Sequence, residues 1–125
     1  MRHLLLIALF VTVAAAADPA ADPQLAAKAQ GLLAENCLKC HGPDKQKGGL
    51  RLDSAKDLMK GGEDGVVVVA GDPAKSMLIK AINWTDPDMK MPPKKKLSDE
   101  QIALLTNWVK AGAKWPAAAA DPKKP

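Results

Sequence analysis

ENCLKCHG, residues 35–42, holds both cysteines of the 125-residue chain and one of its two histidines. Two thiols three positions apart, with an imidazole directly behind them, make the spacing C-x-x-C-H. The spacing suits haem c attachment: each thiol adds to one vinyl group of the ring, and the adjacent imidazole binds the iron. One helical turn between Cys37 and Cys40 spans the two vinyls and brings His41 under the metal. A redox dithiol is a second reading, but such sites lie near a βαβ unit, and no strand–helix–strand alternation is present. A structural zinc wants four ligands. Beyond Cys37, Cys40 and His41 the only other Cys or His is His3. An isolated disulfide is the plainest alternative in an oxidising compartment. The covalent-haem reading stands first.

The N-terminus supports it. Arg2 and His3 precede an apolar run, Leu4–Ala17, interrupted only by Thr12 and ending in small residues with Ala15 and Ala17 in an A-x-A pattern. This predicts a cleaved signal peptide over 1–17 and a periplasmic location, where c-type haem is attached. The run is short of the roughly 20 residues a spanning helix needs, so no stable membrane insertion is expected after cleavage. About 108 residues then remain, enough for one domain. The only Phe lies in the signal and there is no Tyr, leaving Trp84, Trp108 and Trp115 as the aromatics. So small a core gains from a buried cofactor. Removing Arg2 lowers the net charge from +4 to +3. Mild, scattered positive charge without aromatic interleaving does not indicate a nucleic-acid partner.

Residues 18–23 read as a flexible lead-in. Asp22 and Pro23 predict a helix start, and Leu25, Ala29, Leu32 and Leu33 continue one apolar stripe to about Asn36. The next stretch, 42–53, is turn-rich. Ser54 with Asp57 predicts a short capped helix ending at Gly61 and Gly62, and Val66–Val69 prefers extended backbone. Asp72 and Pro73 predict a helix of roughly 72–83. Residues 83–96 are a loop broken by three prolines. Ser98 with Gln101 forms a capping box, and Leu97 with Ile102 a hydrophobic staple, opening a final helix that stops at Gly112. Residues 24–116 make the domain, and 117–125 a disordered tail. The fold class is all-α.

An iron held by His41 from one side has a second axial position. Met91, stiffened by Pro92 and Pro93, is the first candidate and Met89 the second, since Met/His ligation is the electron-transfer arrangement. Met59 and Met77 fall on expected helices, where a core role is the default. Trp84 and Trp108 read as core, with one of the two also lining the haem. Arg51 suits either a haem propionate or solvent. The Pro43 carbonyl is a candidate acceptor for the second imidazole nitrogen.

The run CLKCHGP…GGLRLDS…VAGDPAKSMLIKAI…KMPPKKKLSDEQIALLTNWVKAGAKWP resembles the planctomycete-type cytochrome c domain over about residues 32–116. The resemblance implies a small class I-like cytochrome c fold with N- and C-terminal helices packed together, irregular haem-wrapping loops and one covalent haem c. It implies that Cys37 and Cys40 are the haem thiols, His41 the proximal ligand and Met91 in KMPP the distal ligand. The expected function is one-electron transfer to a redox protein partner, acidic where it meets Lys90 and Lys94–Lys96, and not catalysis. The alternative is a haem enzyme or gas sensor with an open distal site.

Overall fold

The computed structural model describes residues 11, 22 and 24–116. The expected signal apart from Val11, the tail, and the lead-in apart from Asp22 lie outside the described residues. Four helices follow in order: α1 Leu25–Asn36, α2 Ala55–Lys60, α3 Met77–Ile82 and α4 Asp99–Lys110, with short 3-10 turns at Lys47–Gly49 and Pro73–Lys75. No strand occurs among the described residues, only isolated bridges.

α4 forms as its sequence demands. The Ser98 hydroxyl accepts the Gln101 N–H at 3.1 Å, and the Gln101 side chain accepts the Ser98 N–H at 3.0 Å. Such a cap is worth about 1 kcal/mol. Asp99 and Glu100 sit in the first turn and Lys110 in the last, complementing the helix dipole. Gly112, at φ 109°, releases the chain. α4 packs on α1, burying Ile102, Leu105, Trp108 and Val109 in one core with Leu25, Ala29 and Leu33. Each large side chain taken from water contributes about 1.5–3 kcal/mol.

α1 starts later than expected. Gln24, not Asp22, is its N-cap, while the Asp22 side chain accepts the Gln24 N–H at 2.8 Å and pairs with Lys28 at 3.0 Å. The helix expected over 72–83 is split. Asp72 does cap, accepting the Lys75 N–H at 3.2 Å, but only over the 3-10 turn. Ser76 then adopts extended backbone and is wholly buried. Its hydroxyl accepts the Val69 N–H at 2.9 Å and lies 2.8 Å from the Asp72 carbonyl it donates to. A serine that satisfies backbone groups of another segment offers the chain an alternative to helix. The Leu78 N–H donates to the Val67 carbonyl at 2.9 Å, so the valine segment lies along the start of α3. Val67 and Val68 are buried, whereas Val66 and Val69 are exposed.

Candidate functional site

α1 delivers the two thiols. Cys37 is its C-cap, and its N–H donates to the Leu33 carbonyl at 2.9 Å. The next turn is closed by the His41 N–H on the Cys37 carbonyl, also 2.9 Å. The chain then folds back tightly. His41 pairs with Gln46 in an antiparallel bridge, the Lys47 N–H donates to the Cys40 carbonyl at 2.9 Å, and the Leu52 N–H donates to the His41 carbonyl at 2.9 Å. Gly42 is required in this hairpin, because a Cβ there would run into the Leu38 carbonyl.

A second pair of loops meets the first. The Glu63 N–H donates to the Gly48 carbonyl at 2.8 Å. A Cβ on Gly62 would stand 2.6 Å from that same carbonyl oxygen. Both glycine-bearing turns approach closely enough to form one continuous wall, with Gly48 itself at φ 63°.

This wall, α3 and the loop after α3 surround a partly open cavity of about 200 Å³. Its lining includes Cys37, His41, Leu50, Leu52 and Val67, four residues of α3 (Met77, Leu78, Ala81 and Ile82), and both Met89 and Met91. Lys47 and Asp64 are the only Lys, Arg, Asp or Glu residues in the lining.

Three of the four site residues read from the sequence therefore meet at one cavity: Cys37, His41 and Met91. Cys40 is not among the lining residues and is half-buried beside them. Met89, the second candidate, reaches the cavity too. The Met91 N–H is anchored on α3, donating to the Ala81 carbonyl at 3.1 Å, whereas the Met89 N–H donates within its own loop to Asp86 at 3.1 Å. Met77 also lines the cavity, a role its helical spacing did not distinguish from ordinary core.

Three finer expectations are corrected. Neither Trp84 nor Trp108 lines the cavity. Trp108 is 1% exposed in the core around α4, and its indole N–H donates to the Lys114 carbonyl at 2.8 Å. Arg51 is engaged by Asp53, through Nε at 2.9 Å and Nη2 at 2.6 Å, and lies 3.8 Å from Asp57. The Pro43 carbonyl accepts from the Gln46 amide at 3.0 Å, and the buried His41 Nδ1 has no hydrogen-bond partner among the described residues.

Burial, with the neighbouring Cys40 as a lesser cause, pushes the Cys37 thiol up to about 11. A working redox dithiol does the reverse, depressing its attacking thiol toward neutrality or below. Among the described residues no group of three or more His, Cys, Asp or Glu side chains is arranged to hold a metal ion, so the zinc reading lacks its ligand set. An apolar cavity with an imidazole on one wall, thioethers in reach and the Cys37 thiol at its edge, three residues from Cys40, has the donor set that haem c needs.

A small all-α fold with its first and last helices packed together and a C-x-x-C-H turn at an apolar cavity is consistent with a cytochrome of the c class. Residues 37–95 match the family model described as Planctomycete cytochrome C, a cytochrome c domain. Such a domain implies covalently bound haem c, and both cysteines lie within the matched segment. Its class is haem-binding electron transfer. No curated protein and no solved structure matched the chain. Among the described residues no helix is long and apolar enough to cross a membrane.

Proposed function

We propose that the protein is an exported, periplasmic monohaem cytochrome c that carries single electrons, with its iron held between His41 and Met91. The observation that carries this reading is the convergence of Cys37, His41 and Met91 on one apolar cavity. When bound, haem supplies an iron that accepts and gives up one electron. Cys37 and Cys40 fasten the ring edge to the end of α1. His41 would ligate the iron through its imidazole. The Met91 thioether, a soft ligand, favours the ferrous state and raises the potential. Leu50, Leu52, Leu78 and Ile82 keep water from the site.

The partner is a redox protein with an acidic docking face. Lys90 precedes Met91, and Lys94, Lys95 and Lys96 follow it, all exposed. Long-range attraction at that face raises the encounter rate without tight binding.

The test is intact mass and absorbance of protein exported with a haem-attachment system. Mass should exceed the processed polypeptide by one haem after acid–acetone extraction. A mass equal to bare polypeptide, or to polypeptide less two hydrogens, refutes covalent attachment. Met91→Ala should abolish the ferric charge-transfer band of thioether ligation and open the ferrous iron to CO. Loss of the band in Met89→Ala instead would move the ligand by two residues. CO binding to the unaltered protein would favour the sensor or enzyme alternative.

A further inference from the structure

Trp84 departs from ordinary structure in two ways. It directly follows the C-cap of α3 with φ at 58°, left-handed backbone that a bulky residue adopts only under constraint. Its indole N–H is buried and has no hydrogen-bond partner among the described residues. A tryptophan placed at such a cost, and not used for its N–H, contributes its ring face. That face is occupied: Lys90 Nζ stands 5.2 Å from the ring centroid, within cation–π range.

The main chain explains the consequence. The Trp84 N–H and the Met91 N–H both donate to the Ala81 carbonyl, at 3.2 and 3.1 Å. Residues 84–91 are thus a closed loop whose two ends share one acceptor at the end of α3. Ala81 and Met91 both line the cavity, and Lys90 is the neighbour of Met91. The ring contact is a further fastening of the same loop, and it is placed one residue from the thioether.

We propose that Trp84 is a positioning residue for the distal loop, its ring holding Lys90 and so keeping Met91 at the cavity. The proposal rests on the Met91 reading above for its effect on the iron, but not for its effect on the loop. An ordinary C-terminal glycine or asparagine in place of Trp84 would be comfortable in left-handed backbone and would leave the loop fastened by the Ala81 carbonyl and by the Thr85 hydroxyl, which donates to the Lys80 carbonyl at 3.3 Å. Trp84→Gly therefore separates the two roles, because it relieves local backbone strain while releasing Lys90.

The experiment uses holoprotein and reads amide hydrogen exchange at Met91 together with CO association to the ferrous form. Lys90→Met should speed Met91 exchange by about two- to fivefold, the equilibrium equivalent of one exposed cation–π contact. Trp84→Gly should speed it at least as much, Lys90→Arg should restore the original rate, and Trp84→Phe should stay close to it. Exchange at Leu105 in α4 should not change in any of them. CO association should rise in the same order as Met91 exchange. Unchanged Met91 exchange in both Lys90→Met and Trp84→Gly overturns the proposal. If Met91→Ala leaves CO binding as it was, the distal-ligand reading falls, and the exchange measurements still decide the role of Trp84.

Discussion

Gly62→Ala probes the wall where the two glycine-bearing turns meet. The new methyl would stand 2.6 Å from the Gly48 carbonyl oxygen and 3.2 Å from the Leu50 Cβ. The first contact is with backbone, so no side chain can swing away. Overpacking of this kind costs about 1–3 kcal/mol. Displacing the Gly48 carbonyl also strains its bond from the Glu63 N–H, worth about 0.5–1.5 kcal/mol. Loss of the glycine's freedom in the unfolded chain returns about 0.4–1 kcal/mol. The net destabilisation is about 2 kcal/mol, or roughly 8–16 °C in Tm for a domain of this size. Gly48→Ala is the control. Nothing lies within 4 Å of its Cβ position, but φ is 63°, so its cost is conformational, about 1–2 kcal/mol. Thermal unfolding of the holoprotein followed by far-ultraviolet circular dichroism measures both. A Gly62→Ala midpoint within about 2 °C of the parent refutes the close approach of the two turns, by the same scaling.

Two further outcomes follow from charge. Replacing Lys94, Lys95 and Lys96 with Gln should flatten the salt dependence of electron exchange with an acidic redox protein, since screening shortens to about 8 Å at physiological salt; a rate indifferent to both salt and substitution removes the docking role. In haem-free, reduced protein, Cys37 binds its proton more tightly folded, at about 11, than at its ordinary 9.0. The folded state therefore holds more protons between those values, and stability is lost as pH rises from 9 toward 11, on the order of 2 kcal/mol in all. Urea unfolding at pH 8 and 10.5 should show a loss that Cys37→Ala lacks; an equal loss in both proteins counts against burial of the thiol.

What could be read in the sequence was what neighbours along the chain decide. The cap, staple and stop of α4 are all local, and they stand as their residues dictate. The attachment turn is equally local. The reading failed where a group outside the local pattern competes for the residue, whether it lies farther along the chain or only two or three positions away. Ser76 breaks a well-patterned helix because Val69, seven residues away, needs its hydroxyl. Arg51 answers to Asp53 and Asp57 rather than to the cavity, and Pro43 to Gln46. Trp108 serves the α1–α4 core, although composition alone suggested that one of so few aromatics would face the cofactor. Met77 fits core and cavity with the same periodicity, because one face of α3 serves both.

The division of labour between helices bears on how this domain can diversify. No residue of α1 or α4 lines the cavity, which draws on Cys37 just past α1, on α3 and on the loops. The pair that secures the chain is therefore separate from most of the surface that would set a potential or admit a ligand. Substitutions at Leu50 or Met89 can retune the chemistry while the α1–α4 pair retains its packing. Leu52, Val67, Leu78 and Ile82 are different, since each belongs both to the core and to the cavity wall. Variation among descendants of this chain should be freest at loop positions such as Met89 and most restricted at the close-packed glycines Gly42 and Gly62 and at those four positions, where a gain in tuning is also a loss of cohesion.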